Sequence, residues 1–484
     1  MKKLIIALLC VFVHFADAQN GQKKLPNSPL PVNTHPDTTI NGTQFVWYND
    51  GYVARDHKII LLDKNSASYK SLGKDKLLIS FRQSYATQLH IPIDSVRILK
   101  SCDCDEELHL FGATNLHSIA VIPDPDGSSG GNLADDDRLL TTTGSNYNSI
   151  NTNKIDSVNK SDSSKKTTVN TCKLDMPIKV AYIDGGIDQD DPSLFASYLH
   201  FFYLNEDLNK KLSNPEKIYG YNFTDFTINR NIQEDGCNKH GVNISHIFMG
   251  ELRDVADNDV KVMPLKIFKN GTGNLFDALC AILYAQKNRF EIINCSWGHK
   301  GAENPVFKKI MKSLEADKIM VVASAGNDCR ELGANGYGHY PAMFSRDFSN
   351  VISVSTVIDP SLGQHGQIST PECPINSICG NYGINYVNIG YRGGKNFEVK
   401  IRDEFFVDGR YITINPKYGT SYSTAHITGM LANNYLKYLN IRRSNIMSTG
   451  NSPSIKSIFL NDTDIFDLDI NRYPHIQEGR INKR

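Results

Sequence analysis

The sequence has no excess of charge of either sign and no apolar run long enough to cross a membrane. Its 484 residues carry 52 Lys and Arg against 52 Asp and Glu, so the formal net charge is zero. Such a balance lacks the basic surface expected of a nucleic-acid-binding or membrane-surface protein. The longest apolar run, residues 4–15, falls short of the roughly 20 residues that a transmembrane helix needs. No internal repeat of fixed period is found.

The amino terminus has the three parts of a secretory signal. Met1-Lys2-Lys3 is basic, residues 4–15 are apolar, and Ala16-Asp17-Ala18 has the small residues of a cleavage site. This pattern predicts cleavage after Ala18 and removal of residues 1–18. We therefore expect a secreted or extracytoplasmic protein that keeps no membrane attachment once the signal has been removed.

Removal of the signal would leave an odd number of cysteines, nine of the ten (10 − 1). An odd number in an exported protein leaves at least one thiol without an intramolecular partner. Cys373 and Cys379 close a short loop and form the first pair that we expect to be bridged. Cys280 and Cys295 lie in apolar segments, so they are expected to be buried, unreactive thiols.

Composition divides the rest of the chain into five segments. Residues 19–45 are polar and rich in Pro and Asn, and are expected to be disordered. Short apolar runs in residues 46–125 predict a small α+β unit. Residues 126–171, rich in Ser, Asp, Asn, Thr and Gly, predict a flexible linker. Residues 172–460 have the pattern of a large globular domain, and residues 461–484 form a polar tail.

Strand-like and helix-like patterns alternate within the large domain. Strands are predicted at 178–183, 262–268, 290–294, 319–323 and 351–354, and helices at 242–249, 274–286, 306–314 and from 419 to about 439. Strands that are apolar on both faces and alternate with helices indicate an α/β fold, with a mostly parallel sheet and helices on both faces. Sites in such sheets form at the carboxyl ends of the strands.

Four polar residues stand at these element ends, each beside glycine. Asp184 follows a buried strand, His240 starts a helical stretch, Asn327 follows a strand, and Ser421 opens the last long helical segment. A serine hydroxyl becomes a good nucleophile when a base removes its proton and donors stabilise the oxyanion that its attack creates. Asp184, His240 and Ser421 are therefore the candidate catalytic residues, and the Asn327 amide is the candidate oxyanion donor.

The blocks around these residues resemble those of the subtilisin-like serine proteases, the subtilase family. The matching blocks are Val180-Ala181-Tyr182-Ile183-Asp184-Gly185-Gly186-Ile187, His240-Gly241-Val242-Asn243-Ile244-Ser245-His246, Ala323-Ser324-Ala325-Gly326-Asn327 and Gly419-Thr420-Ser421-Tyr422-Ser423-Thr424-Ala425-His426-Ile427-Thr428-Gly429. The chain order Asp, His, Ser is also the order in subtilisin. The resemblance covers about residues 173–460.

The resemblance implies a secreted serine endopeptidase with an acyl-enzyme intermediate. Ser421 would attack the scissile carbonyl, His240 would carry the proton, and Asp184 would hold the imidazole tautomer. Asn327 and the backbone N–H of Ser421 would bind the oxyanion. The implied partners are protein or peptide substrates, with no nucleic acid, and a monomer is expected.

The resemblance also implies a substrate-binding strand, Ser296-Trp297-Gly298, that would pair with an extended peptide. Trp297 could equally be a core residue. His339, before Tyr340, is a candidate for lining the primary specificity pocket. By analogy with the family, residues 46–125 are expected to be a pro-domain that assists folding and inhibits the enzyme until the linker is cut. The chain would then be made as a zymogen.

No cofactor or metal ion is expected from the residues. Calcium is compatible with the family resemblance, but no ligand loop can be assigned, and the cluster Asp254, Asp257, Asn258 and Asp259 is interpreted as a solvated turn. Cys102-Asp103-Cys104 has neither the spacing nor the second pair of a zinc site, so a non-metal role is expected.

Two other classes of protein are compatible with parts of the pattern. A catalytically inactive binding protein with a subtilase fold is suggested by the altered blocks, in which Asn243 and Ala425 replace the histidine and proline of the family. An exported lipase or esterase would also use a serine nucleophile on an α/β fold. That class places Ser before Asp and His, which is the opposite of the order in this chain.

Overall fold

The structure is a computed structural model, and it describes the elements of the chain with several gaps. The described residues are 37–40, 43–48, 51–102, 107–114, 116, 133–135, 139–142, 177–187, 220–224, 231–235, 240–252, 259–269, 271–358, 380–393, 398–399, 404–407, 410–413, 417–450, 452–468 and 476–482. The signal, the pair Cys373 and Cys379, and three of the four residues of the acidic cluster, Asp254, Asp257 and Asn258, lie outside these residues. Within the described ranges, no helix combines the length and the apolar character needed to cross a bilayer.

The amino-terminal part of the chain folds as two small sheets and one helix. Its elements are Thr38–Ile40 (β1), Thr43–Tyr48 (β2), Gly51–Ala54 (β3), His57–Leu61 (β4), Ala67–Leu89 (α1), Arg97–Ser101 (β5), Leu108–Gly112 (β6) and Leu133–Asp135 (β7). One sheet has the order β1-β2-β3 and the other β5-β6-β4-β7. Leu77, Phe81 and Tyr85, spaced four residues apart on one face of α1, pack against Phe111 of β6. The fold of this part is the α+β arrangement that its short apolar runs predict.

A nine-stranded sheet forms the centre of the large domain. The remaining strands are Leu139–Thr142 (β8), Ile178–Asp184 (β9), Tyr221–Asn222 (β10), Val260–Lys266 (β11), Gly273–Asn274 (β12), Ile292–Cys295 (β13), Trp297–Lys300 (β14), Met320–Ser324 (β15), His339–Tyr340 (β16), Val351–Ile358 (β17), Ile389–Gly393 (β18), Glu398–Val399 (β19), Glu404–Val407 (β20), Arg410–Thr413 (β21), Lys417–Tyr418 (β22), Phe466–Leu468 (β23) and Arg480–Asn482 (β24). The order is β10-β11-β9-β13-β15-β17-β18-β24-β23. Seven of its pairings are parallel, and only β23 with β24 is antiparallel. The predicted, mostly parallel α/β sheet is confirmed.

Helices cover both faces of this sheet. They are His240–Glu251 (α2), Leu275–Lys287 (α3), Pro305–Ala316 (α4), Thr420–Thr449 (α5) and Ile455–Leu460 (α6). One apolar core lies between the sheet and helices α3 and α4. A second core, on the opposite face, includes side chains of α2, α5 and α6. The two helices that begin with the candidate catalytic residues therefore pack on the same face.

Short strands lie in segments that composition assigns to disorder, linker or tail. Strand β1 falls within 19–45, β7 and β8 fall within 126–171, and β23 and β24 fall within 461–484. These strands have three or four residues, too few to show a period in the sequence. Their stability comes from pairing with other strands and from buried side chains such as Leu140 and Ile481. The predictions of uniform linker and tail are therefore wrong at these strands.

Strand β8 pairs with the strand predicted to bind substrate. A separate sheet has the order β12-β8-β14-β16. The β8–β14 pairing is antiparallel, with Thr141 opposite Gly298 and Thr142 opposite Trp297. The same strand pairs antiparallel with β12 on its other side. A segment from the amino-terminal region thus lies between two strands of the large domain.

Candidate active site

Three neighbouring strands bring polar residues to one edge of the sheet. Strands β9, β13 and β15 are adjacent and parallel, with Cys295 opposite both Ile183 and Ala323. Asp184 is the last residue of β9, Ser296 follows β13, and Asn327 comes shortly after β15. Because the carboxyl ends of parallel strands meet at one edge, these side chains are grouped as the sequence predicts.

Asp184 and His240 form a buried hydrogen-bonded pair. The Nδ1 atom of His240 lies 2.8 Å from Oδ1 of Asp184. The same Oδ1 accepts a hydrogen bond from the backbone N–H of Gly185 at 2.7 Å. Asp184 has no exposed surface, and His240 is 5 % exposed. With Nδ1 donating to the carboxylate, the Nε2 lone pair is left to act as a base.

The charges around His240 favour its protonated form. Burial by itself lowers the pKa of the imidazole, but the charge and hydrogen bond of Asp184, with a further contribution from Glu234, outweigh it. The net effect is a pKa above the ordinary value for histidine. The ring Nε2 atom is buried and has no hydrogen-bond partner among the described residues.

Ser421 is the second residue of α5, where a helix end directs backbone N–H groups outward. Its hydroxyl donates a hydrogen bond to the backbone carbonyl of Ser296 at 2.7 Å. The Ser296 hydroxyl in turn donates to the carbonyl of Ser421 at 2.9 Å. The next residue, Tyr422, has its ring 5.6 Å from the His240 ring. The site therefore contains the expected serine and histidine, but the hydrogen bond expected between Ser421 and His240 is not formed.

Asn327 lies beside the first turn of α5. Its side-chain oxygen accepts a hydrogen bond from the backbone N–H of Thr420 at 2.9 Å. This contact fixes the amide so that its Nδ2 hydrogens remain available to another acceptor. The amide therefore lies beside the turn that carries Ser421.

Asn381 shapes the loop that carries Asn327, and sequence patterns did not identify it. Its Nδ2 donates to the carbonyl of Ala325 at 2.8 Å, and its Oδ1 accepts from the backbone N–H groups of Asp328 and Arg330. Gly326 has φ +97° there, and an added Cβ would lie 2.4 Å from Asn381 Nδ2. Asn381 lies in the stretch 362–417, where the match to the family blocks is poor, so no motif marked it.

The predicted substrate-binding residues divide into a backbone edge and a core side chain. Trp297 is fully buried, and its indole N–H donates to the Ile183 carbonyl at 3.0 Å. The side chain is thus a core residue, as one of its two interpretations states. The backbone of Trp297 and Gly298 forms the edge that pairs with β8.

His339 lies between Gly298 of β14 and Gly326 in the loop before Asn327. A Cβ added to Gly298 would lie 2.4 Å from its Nε2, and one added to Gly326 would lie 3.0 Å from its Nδ1. Burial lowers the pKa of His339 to about 4, so the ring is neutral near pH 7. Neither ring nitrogen has a hydrogen-bond partner among the described residues. His339 is thus a buried residue beside Gly298 and Gly326, and its role in a specificity pocket stays a prediction.

Glu234 contacts the start of α2, and no sequence pattern indicated it. Its two carboxylate oxygens accept hydrogen bonds from the backbone N–H groups of Gly241 and Val242, at 3.0 and 2.8 Å. The only signal in the sequence is an acidic residue six positions before His240, and acidic residues are also common in solvated loops.

Other candidate residues take structural roles. Cys280 and Cys295 are buried thiols outside any disulfide, as predicted, and burial raises the pKa of the Cys295 thiol. His426, a buried helix residue, has Nδ1 2.7 Å from Oε1 of Glu251. In the described part of the chain, no group of three or more His, Cys, Asp or Glu is arranged to hold a metal ion.

Comparisons with known proteins identify the family of the large domain. The model of the subtilase family matches residues 176–462. Subtilisin-like protease 3 of Plasmodium falciparum (isolate 3D7) is 27 % identical over 218 residues, which are 42 % of this chain and 26 % of that protein. The chain thus aligns with about a quarter of that relative's length.

Among solved structures, the epidermin leader peptide processing serine protease of Staphylococcus aureus has a TM-score of 0.39 and 17 % identity, with 63 % of this chain and 74 % of that chain covered. Fervidolysin from Fervidobacterium pennivorans, described as a keratinolytic enzyme related to subtilisin, has a TM-score of 0.46 and 12 % identity, with 84 % and 61 % covered.

The pairing of Asp184 with His240 predicts a shift that NMR can measure. In Asp184→Asn, the negative charge that raises the His240 pKa is removed, so this pKa should fall below that of the unchanged protein. The measurement is the titration of the His240 ring signals. Asp347→Asn, which removes a carboxylate paired with Arg346, is the matched control and should leave the midpoint unchanged. An unaltered midpoint in Asp184→Asn would contradict the pairing.

Proposed function

Because the chain belongs to the subtilase family, we propose that it is a serine endopeptidase whose catalytic residues are Asp184, His240 and Ser421. The observation that carries this proposal is the buried hydrogen bond from His240 to Asp184 beside the helix whose second residue is Ser421. Protein or peptide chains are the proposed substrates. The signal-like residues 1–18 support export as part of the same proposal.

The proposed reaction begins when His240 Nε2 takes the proton of the Ser421 hydroxyl as the oxygen attacks the scissile carbonyl. Asp184 stabilises the imidazolium that forms. The resulting oxyanion is bound by Asn327 Nδ2 and the Ser421 N–H, and losing one such donor typically costs about 100- to 1,000-fold in turnover. His240 then gives its proton to the leaving amine. Water hydrolyses the acyl-enzyme by the reverse use of the same groups.

This mechanism requires the Ser421 hydroxyl to turn away from the Ser296 carbonyl, which it contacts at 2.7 Å, toward Nε2. In this proposal the hydroxyl turns by a change of the χ1 rotamer, which has three staggered positions. Apo structures commonly have long or misaligned catalytic hydrogen bonds that form only with substrate. The hydroxyl position therefore corresponds to a resting state in this proposal.

Strand β8 supports the proposal that the amino-terminal part is an inhibitory pro-domain. It runs antiparallel to β14 with Thr142 opposite Trp297, so its carboxyl end lies next to Ser296. The Ser296 carbonyl is the group that the Ser421 hydroxyl contacts. In this proposal β8 occupies the position of an extended substrate, and the chain is cut just after it. The sheet of β4 and β6 also shares an apolar core with α3 and α4, which would retain the pro-domain after cleavage.

His339 supports a preference for small, uncharged residues directly before the scissile bond. Its neutral ring fills the space between Gly298 and Gly326, which leaves little room for a large side chain. One ring nitrogen could accept a hydrogen bond from a substrate hydroxyl, and the protonated ring nitrogen could donate one to it. Thr141 and Thr142, the last two residues of β8, agree with this preference.

The first prediction concerns the nucleophile. A fluorophosphonate probe should label the purified protein on Ser421, because only an activated serine reacts with it. Ser421→Ala should lose the label and reduce peptide hydrolysis by at least about 1,000-fold. Ser423→Ala, two residues along the same helix, is the control and should still be labelled. Absence of labelling from the unchanged protein would favour an inactive binding protein.

The second prediction concerns maturation. Amino-terminal sequencing of the active secreted form should find a first residue shortly after Thr142, whereas Ser421→Ala should keep the amino-terminal part uncut. The physical reason is that the carboxyl end of β8 lies next to Ser296, whose carbonyl the Ser421 hydroxyl contacts. An active form that begins near Gln19 would refute the pro-domain.

The third prediction concerns selectivity. His339→Gly should enlarge the pocket and raise the preference for Phe or Leu over Thr before the scissile bond by roughly 10-fold or more. The measurement is the ratio of kcat/KM for two peptides that differ only at this residue. A ratio is insensitive to any loss of folded protein. An unchanged ratio would show that His339 does not line the pocket.

A further inference from the structure

The carboxylate of Glu234 is buried beside the catalytic pair, yet it has no part in the proposed proton transfer. It is 5 % exposed. Its two oxygens accept hydrogen bonds from successive backbone N–H groups, those of Gly241 and Val242. These two groups belong to the first turn of α2, whose first residue is His240. A carboxylate at this position satisfies N–H groups that the helix itself cannot satisfy, and it interacts favourably with the helix dipole.

The same side chain also contacts the segment that follows Asp184. A Cβ added to Gly185 would lie 2.6 Å from Oε1 of Glu234, so only glycine allows this approach. The backbone N–H of Glu234 donates to the Ile187 carbonyl at 2.9 Å. Glu234 is therefore fixed to the strand end that carries the acid, and it binds the helix start that carries the base.

We propose that Glu234 is a positioning residue for the proposed reaction, holding the first turn of α2, and with it His240, in register with Asp184. This inference rests on the proposed function. This role needs an ionised carboxylate, because each of the two oxygens must accept a hydrogen bond from a backbone N–H group. A protonated carboxyl would present a donor to one of the two N–H groups and lose that hydrogen bond.

Ionisation of Glu234 is coupled to the groups that face it, which are Asp184, His240, Tyr182 and Tyr422. Burial raises the pKa of Glu234 to about 7; the N–H of Val242 opposes this and the charge of Asp184 adds to it. The negative charge of Glu234 in turn raises the pKa of His240. As the pH falls through about 7, protonation of Glu234 weakens the support of α2 while His240 loses its base form. Both events therefore lower the activity as the pH falls.

The test compares pH profiles of kcat and kcat/KM for the mature, cleaved protein and three variants, with each rate divided by the number of active sites that fluorophosphonate titrates. In the unchanged protein the acid limb should be steeper than loss of a single proton allows. Glu234→Gln should lower kcat about 10- to 100-fold at high pH with little change in KM, because the amide keeps one acceptor and the base is displaced. The acid limb of this variant should move to lower pH, because the charge of Glu234 that raises the His240 pKa has been removed. Its slope should fit the binding of one proton, because only His240 still titrates.

Two variants separate positioning from general loss of structure. Glu234→Asp keeps a titrating carboxylate and should restore part of kcat and the steep limb. Asp235→Asn is the matched control, since Asp235 is the neighbouring carboxylate and pairs with Lys266 at 3.2 Å, away from α2. It should keep the unchanged profile.

Glu234→Gln with the kcat, midpoint and slope of the unchanged protein would overturn the inference. A lower kcat with an unaltered acid limb would also overturn it, because a purely structural defect gives that result. If the unchanged protein neither labels nor hydrolyses peptides, the proposed function fails instead. The NMR titration of His240 then decides the inference, with a lower pKa in Glu234→Gln supporting it and an equal pKa rejecting it.

Discussion

Burial of the Asp184 charge is the constraint on which the site depends. A carboxylate with no exposed surface loses its hydration, and the loss is tolerable only if charged or polar groups replace the water. His240 and the Gly185 N–H provide this replacement at Oδ1. The position of α2 is therefore determined by the end of β9. The charge and hydrogen bond of Asp184, with a smaller contribution from the second buried carboxylate, Glu234, explain why His240 favours its protonated form despite burial.

Two reciprocal hydrogen bonds between Ser296 and Ser421 connect the nucleophile to the sheet. Each residue donates its hydroxyl to the backbone carbonyl of the other. Asn294, on the preceding strand, donates to the Thr428 hydroxyl two turns further along α5 at 2.8 Å. The start of α5 is thus fixed against β13 at both places, and the loop of Gly326 and Asn327 is fixed to it through Thr420. Placement of Ser421, His240 and Asn327 follows from three contacts with adjacent strand ends.

The sequence predicted those parts of the fold that have long, periodic apolar patterns. The strands ending at Asp184 and Ser324 and the helices beginning at His240 and Thr420 lie where their patterns indicate, within a few residues. Strand β8 could not be predicted, because four residues carry no period and their stability comes from partners that are distant in sequence. Glu234 and Asn381 were missed for a related reason. Both act through hydrogen bonds to backbone N–H and carbonyl groups, which leave no requirement on the sequence of their partners.

The position of β24 has a consequence for the order in which the protein is made. This strand, Arg480–Asn482, lies between β18 and β23 in the central sheet, and Ile481 is fully buried there. A ribosome delivers residues in order, so the sheet remains open at β18 until residues well beyond Ser421 have emerged. The three residues of the site are therefore all synthesised before the sheet that supports them is closed. The supporting scaffold is thus completed only after the segment that carries Ser421 has been synthesised.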